Sequence, residues 1–241
     1  MDLPQPLRAG TFVGRLNRFA AEVRLGRTVH RVHVANSGRL GELLYPGARV
    51  FTHPVTTAGR STSHDLVLVR HGGVLVSVDS RAPSAIAAEA FLSVGVPPLS
   101  RVQAVHREAP LGRSRIDLCV RTAEGEWLVE VKGCTLVCEG TAIFPDAPTA
   151  RGRRHVEALA EHVARGGRAM VLFVIQRPDA ASFRPNWTTD AAFAAALATA
   201  EGAGVVVRAH TCSVSTEEIV LGAAVPYDLA RPESEEGPSC A

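Results

Sequence analysis

The chain contains almost no lysine, few aromatic residues and no long apolar run. Of its 26 basic residues only Lys132 is a lysine, and aromatic residues make up 5% of the 241 residues. No apolar stretch reaches 18 residues, so the sequence predicts no membrane-spanning helix. The N-terminus has no basic segment followed by an apolar stretch, which argues against a secretion signal and favours a cytoplasmic protein.

The cysteines and the net charge narrow the protein class only a little. The chain has five cysteines and a formal net charge of +2. Cys134 and Cys138 are close in sequence, but no second Cys or His pair follows at zinc-finger spacing. We therefore expect free thiols and no structural zinc. A mildly basic chain permits a nucleic-acid partner without requiring one.

Short alternating strands fill the chain from about residue 10 to residue 80. Two strand pairs flank the hairpin signals Gly26-Arg27 and His71-Gly72-Gly73, and a further strand follows the turn at Pro46-Gly47. At least five short strands with no long helix between them predict a small closed barrel over residues 1–81.

Helices and strands alternate after residue 81. Helices are predicted over 84–95, 149–165 and 189–201, and strands over 101–107, 114–121, 127–137, 170–175 and 205–208. This order indicates a mixed α/β sandwich over residues 82–230. Residues 231–241 are rich in Pro, Glu, Ser and Gly, and we expect them to form a disordered tail.

The lone lysine lies in a pattern that carries chemistry. Glu130 and Lys132 are two residues apart on a predicted strand and therefore point to the same face. If Glu124-Gly125 forms a two-residue turn, Asp117 on the preceding strand pairs directly with Lys132 and is a diagonal neighbour of Glu130. Two such carboxylates can bind Mg²⁺, and Lys132 can orient a water that attacks a phosphate.

The next helix begins with an unusual cluster of cations. Asp146 or Thr149 can cap it, yet Arg151, Arg153, Arg154 and His155 occupy its opening turns. Cations at a helix N-terminus oppose the macrodipole, so stability does not explain them. Either Arg151 and His155, one turn apart, bind a phosphate there, or the arginines extend into solvent.

Several segments together resemble the sugar fermentation stimulation protein A (SfsA) family. In the second half of the chain they are Ser114-Arg115-Ile116-Asp117, Glu130-Val131-Lys132, Phe144-Pro145-Asp146-Ala147, Thr149, Arg151-Gly152 and His155. In the first half they are Arg18-Phe19 and Asn36-Ser37-Gly38, and the resemblance covers nearly the whole chain to about residue 228. Ala35, Ser37 and Ser84 depart from the family pattern, which weakens inferences about the barrel's ligand and leaves the carboxylates untouched.

The resemblance implies a fold and a set of site residues. It implies an N-terminal OB-like barrel followed by an α/β domain of PD-(D/E)XK nuclease type. Asp117, Glu130 and Lys132, with Glu89 on the first helix, would be catalytic, and the three carboxylates would hold Mg²⁺ or Mn²⁺. Nucleic-acid contacts would come from five residues, namely Arg18, Asn36, Arg115, Arg151 and His155.

Three functions remain open at this point. The first is a Mg²⁺-dependent nuclease that binds single-stranded or duplex DNA. The second is a non-catalytic DNA-binding regulator of sugar metabolism that retains the nuclease fold. The third is a sensor of a phosphorylated metabolite that uses the region around Arg151. The complete carboxylate pair with its lysine favours the first, because negative charge facing phosphate without a metal would not help a DNA clamp.

Overall fold

Six strands in the first third of the chain form a closed barrel. The computed structural model describes residues 1–56 and 59–232. The strands are β1 (Arg8–Asn17), β2 (Ala20–Leu25), β3 (Thr28–His33), β4 (Arg49–Pro54), β5 (His64–His71) and β6 (Val74–Ser77). They are ordered β3-β2-β1-β4-β5-β6, and β3 also pairs with β5 in parallel, which closes the sheet on itself.

The barrel's turns follow the residue types predicted for them. Gly26-Arg27 joins β2 to β3, and Gly72-Gly73 joins β5 to β6. All three glycines have positive φ angles, which two-residue hairpin turns favour. Inward-facing side chains such as Phe12, Val23 and Leu66 fill the interior. The prediction of an OB-like barrel is confirmed.

The rest of the described chain forms a layered α/β domain. Its helices are α1 (Ala82–Ser93), α2 (Ala150–Ala164) and α3 (Ala191–Gly202). Its strands are β7 (Ala104–Leu111), β8 (Ser114–Thr122), β9 (Gly125–Cys134), β10 (Val137–Cys138), β11 (Thr141–Phe144), β12 (Ala169–Ile175), β13 (Ser182–Pro185), β14 (Val206–Val214) and β15 (Ile219–Ala224). Six of them form a sheet in the order β15-β14-β12-β9-β8-β7, and β10, β11 and β13 form a small second sheet. The predicted mixed α/β domain is confirmed.

The two faces of the main sheet have separate cores. Ile86 and Phe91 of α1 pack on one face, against residues that include Val129 and Val131 of β9. Helices α2 and α3 pack on the other face, where Phe173 of β12 lies in their core. Strand β12 is buried along its whole length, as expected for a strand covered by helices on both faces.

The hairpin between β8 and β9 differs from the prediction. Thr122 pairs with Gly125, so the two turn residues are Ala123 and Glu124, one position earlier than expected. This moves the register by two residues. The ladder ends where Leu118 pairs with Val129, and the same register, extended by one step, would set Asp117 opposite Glu130 and not opposite Lys132.

Other details of the second domain refine the predictions. Helix α1 begins at Ala82, two residues before the predicted start, and has no side-chain cap. Thr149 caps α2 by accepting a hydrogen bond from the N–H of Gly152 at 3.1 Å. No helix among residues 1–56 and 59–232 is long and apolar enough to cross a membrane. Most of the predicted tail, from residue 233 onward, lies outside the described residues.

The cysteines follow the expectation of free thiols in part. Cys119, Cys134 and Cys212 are free. Cys138 is disulfide-bonded, so the expectation is wrong there. Cys240 lies outside the described residues.

Hydrogen bonds of Ser77 and Arg39 are among those that join the barrel to the second domain. The Ser77 N–H donates to the Gln176 carbonyl at 3.0 Å, and the Gln176 side chain donates back to the Ser77 hydroxyl at 3.1 Å. The Arg39 N–H donates to Asp146 Oδ2 at 2.9 Å. The turn that contains Asn36-Ser37-Gly38 is thereby held against the segment Phe144-Pro145-Asp146.

Candidate active site

Strand β9 places a carboxylate and an ammonium side by side beneath α2. Val129 and Val131 face the core under α1, so the intervening Glu130 and the following Lys132 face α2. Glu130 is only 2% exposed. A carboxylate buried this deeply requires partners, because an unpaired buried charge is costly.

Glu130 has two partners, and both bind the same oxygen. Lys132 Nζ lies 2.5 Å from Glu130 Oε1, and His155 Nδ1 of α2 lies 2.7 Å from that atom. A carboxylate can only accept, so Nδ1 of His155 donates. The second oxygen, Oε2, is buried and has no hydrogen-bond partner. One face of the carboxylate is therefore fixed, and the other is free to bind a ligand.

Asp117 is held next to this network by the backbone of β9. Its Oδ2 accepts a hydrogen bond from the Val131 N–H at 2.8 Å. This bond takes the place of a ladder bond, because the backbone pairing between β8 and β9 ends at Leu118 and Val129. Asp117 and Glu130 thus lie on adjacent strands with interacting charges.

The two carboxylates have opposite pKa shifts. Burial raises the pKa of Asp117, and the neighbouring negative charge of Glu130 raises it further. Burial also acts to raise the pKa of Glu130, but the hydrogen bond from His155 and the ion pair with Lys132 outweigh it and the pKa is lowered. Glu130 is therefore ionised, and Asp117 is the carboxylate that gains from an added positive charge.

The donor set suits a hard divalent cation. Carboxylate oxygens are the ligands that Mg²⁺ and Mn²⁺ prefer, and Mg²⁺ is commonly held by one or two carboxylates with waters and phosphate oxygens. The unpartnered Glu130 Oε2 fits this role, with Asp117 beside it. Within the described part of the chain, no group of three or more His, Cys, Asp and Glu side chains is arranged to hold a metal. The protein alone thus offers a two-carboxylate site.

Glu89 is not brought to this pair. It lies on α1, which covers the opposite face of the sheet, and its side chain is 57% exposed. Its carboxylate pairs at 2.8 Å with the amino group of Met1, which also donates to the carbonyl of Ile219 on β15 at the far edge of the sheet. The structure therefore provides no third carboxylate from α1.

His155 has a different position from the one predicted. It is 6% exposed and faces the sheet, where it binds Glu130. Arg151, one turn earlier, is exposed. The two residues therefore do not present one surface to a phosphate. The apolar spacing of α2 could have revealed this, because its buried positions, Gly152, His155, Val156 and Leu159, form a single helical stripe.

The remaining predicted residues lie at two separate places. Arg115 is exposed and pairs with Glu108 of the neighbouring strand at 3.1 Å, and no hydrogen bond or ion pair among the described residues joins it to the carboxylates. Arg18, Asn36 and Arg151 all line a cleft of about 460 Å³ between the barrel and the second domain. Asn36 shapes this cleft, because its side chain donates to the Val78 carbonyl at 3.0 Å and accepts from the Gly38 N–H at 2.8 Å.

Comparisons with known proteins cover both domains. Residues 81–218 match the sugar fermentation stimulation protein RE domain, and residues 13–78 match the SfsA N-terminal OB domain. A sugar fermentation stimulation protein homolog from Alkaliphilus metalliredigens is 44% identical over 214 residues, which cover 88% of this chain and 92% of the relative. A homolog from Chloroflexus aggregans is 41% identical over 93% of this chain and 86% of the relative.

A solved structure shows the same architecture. The SfsA of Pyrococcus furiosus, determined in complex with Ca²⁺, superposes with a TM-score of 0.86 at 30% sequence identity, covering 95% of this chain and 98% of that one. The sequence matches span both domains, and the fold agrees over nearly the full length. The chain belongs to the SfsA family of sugar fermentation stimulation proteins.

Proposed function

We propose that this protein is a DNA-binding, divalent-cation-dependent phosphodiesterase whose site contains Asp117, Glu130 and Lys132. The observation that carries the proposal is Glu130 Oε2, a buried carboxylate oxygen without a partner beside a second carboxylate and the chain's single lysine. A purely structural Glu130 would have both oxygens satisfied, because buried polar atoms are almost always paired. The Ca²⁺ complex of the Pyrococcus furiosus relative is consistent with a hard cation bound by oxygen ligands.

Each side chain has a separate part in this proposal. Asp117 and Glu130 would hold Mg²⁺ or Mn²⁺, which would stabilise charge on the phosphate oxygens and acidify a bound water. Lys132 uses one of its three N–H donors on Glu130, and the other two can orient the attacking water or contact a phosphate oxygen. His155 would hold Glu130 in place through Oε1, which leaves Oε2 for the cation.

The two domains have separate roles in this proposal. We propose that the barrel, residues 1–81, contacts nucleic acid and that the α/β domain, residues 82–230, carries the hydrolytic site. Most of the contacts should be to phosphate, so DNA affinity should fall as salt rises. This function would place the protein in the cytoplasm with its DNA substrate.

The test is cleavage of labelled single-stranded, duplex and branched DNA with Mg²⁺ or Mn²⁺. Lys132→Met should lower the cleavage rate by about 100-fold or more, because it removes a fixed positive charge aimed at the reacting phosphate. Glu126→Gln is the matched control, because Glu126 lies on the same strand but is exposed and pairs only with Arg121. This variant should cleave as fast as the wild type.

The outcomes separate the three functions considered above. Metal-dependent cleavage lost in Lys132→Met and kept in Glu126→Gln would establish the phosphodiesterase. Salt-sensitive DNA binding without cleavage of any substrate would refute it in favour of a non-catalytic regulator. Equal cleavage by wild type and Lys132→Met, in protein free of contaminating nucleases, would refute the catalytic assignment. Binding of phosphorylated small molecules without affinity for DNA would favour the sensor.

A further inference from the structure

The cleft between the two domains is lined by chain neighbours of the proposed site. Gly133, which lines it, directly follows Lys132 on β9. Arg151, which also lines it, lies one helical turn before His155, the partner of Glu130. Asp117, Glu130, Lys132 and His155 are not themselves part of the lining.

An exposed aromatic ring stands beside this cleft. Phe19 lies in the tight turn between β1 and β2 and is 48% exposed in a chain with few aromatic residues. Its backbone is fixed, because its N–H donates to the side chain of Asn17 at 2.9 Å and its carbonyl accepts from the N–H of Val34 at 2.9 Å. The guanidinium of Arg18, a residue that lines the cleft, lies over the ring at 5.7 Å from its centre.

The cleft also has unpaired positive charge. Among the described residues, no Asp or Glu forms an ion pair with Arg18 or Arg151. The Arg18 Nε donates to the Ser37 carbonyl, which orients the guanidinium and leaves its terminal N–H groups available. Asp146 is the acidic residue in the lining, and its Oδ2 is occupied by the Arg39 N–H. Cations with an exposed ring are the features by which barrels of this type bind single strands.

The size of the cleft restricts the form of the strand. Its volume is about 460 Å³, which is the scale of a pocket for one small ligand. A space of this size matches one nucleotide better than a B-form duplex, whose major groove alone is about 12 Å wide. A single nucleotide of an unpaired strand can enter the cleft.

We propose that the substrate of this site is single-stranded DNA, or the unpaired end of a duplex. One base stacks on the Phe19 and Arg18 pair, and the adjoining nucleotide occupies the interdomain cleft on its way to Lys132. The path of the strand toward Lys132 rests on the proposed function. Binding of the strand to Phe19 and the cleft does not depend on catalysis.

The experiment is fluorescence anisotropy with a labelled single strand of mixed sequence and a blunt hairpin duplex of the same base composition, both in Ca²⁺ buffer. The wild type should bind the single strand more tightly. Phe19→Ala should weaken that binding by about 5- to 150-fold, the effect of losing one stacked base. Phe19→Trp should restore it. Leu16→Ala is the matched control, because Leu16 lies on β1, is 49% exposed and has no ring.

Each outcome decides the inference separately from catalysis. Loss of single-strand binding in Phe19→Ala but not in Leu16→Ala supports it, even if no preparation cleaves DNA. Equal binding by the two variants, or duplex binding as tight as single-strand binding, overturns it. Metal-dependent cleavage of blunt duplex that Phe19→Ala leaves unchanged overturns it as well, while the phosphodiesterase would stand.

Discussion

Removal of His155 tests whether Glu130 is positioned for a cation. The His155 Nδ1 bond to Glu130 Oε1 is 2.7 Å long, and both residues are almost fully buried. A hydrogen bond to a charged group contributes about 1.5–3 kcal/mol. In His155→Ala, Glu130 keeps Lys132 as its partner but gains freedom to rotate. Loss of a group that orients a metal ligand typically costs about 10- to 100-fold in metal affinity.

The assay is calorimetric titration of Mn²⁺ or Ca²⁺ into metal-free protein. We expect His155→Ala to bind the cation about 10- to 100-fold more weakly than the wild type. His155→Gln, which retains a donor, should recover part of the loss. His106→Ala controls for the loss of a histidine, because His106 is exposed on β7 at the sheet edge.

A structural role alone would give a different pattern. His155→Ala should also unfold at a lower urea concentration, since a buried partner is lost, so stability by itself does not decide the question. Cleavage at saturating Mn²⁺ should recover toward the wild-type rate, whereas cleavage at limiting Mn²⁺ should not. Cation affinity equal to that of the wild type, in a variant that remains folded, would refute the positioning argument.

Two further predictions concern the fold. An added Cβ at Gly38 would collide with Asp146 Oδ2, so Gly38→Ala should lower the free energy of unfolding in urea by about 1–3 kcal/mol. Gly41→Ala is the control, because a Cβ there meets no atom within 4 Å. Equal stability of the two variants would contradict the packing argument. Burial, and then the nearby charge of His30, lower the pKa of His64 in the folded protein. The contribution of His64 to the free energy of unfolding should therefore be complete above the pKa of a histidine in the unfolded chain, about 6.5, and should be lost as the pH falls below that value. Between pH 7 and pH 5, the free energy of unfolding should fall less for His64→Gln than for the wild type. An equal fall in both proteins would contradict this assignment.

The site's face could be predicted from the sequence although the register could not. The sequence favours a turn at Glu124-Gly125, whereas the turn in the structure is Ala123-Glu124. The resulting error in register is two residues. Because side chains on a strand alternate with a period of two, a shift of two keeps every residue on its face. Asp117, Glu130 and Lys132 were therefore predicted to share one face, and they do.

Strand β1 and the position of Glu89 could not be predicted from the local sequence pattern. Strand β1 contains Gly10 and Gly14 and has two irregularities in its pairing with β2, so it lacks the alternation that marks the other barrel strands. For Glu89 the missing information is tertiary. Its spacing along the chain suits a third carboxylate, but only the packing of α1 shows which face of the sheet that helix covers.

The balance of charge at the site is the strongest reason to expect a cation there. Lys132 offsets one of the two carboxylates, and His155 donates a hydrogen bond to the same Glu130 oxygen. When Asp117 is ionised, the two carboxylates carry one more charge than Lys132 offsets, and the buried Glu130 Oε2 has no hydrogen-bond partner. That charge would repel a phosphate. If the site had only a structural role, a partner side chain would neutralise it. A bound divalent cation reverses its sign, so removing His155 or Lys132 should weaken cation binding and cleavage even in protein that remains folded.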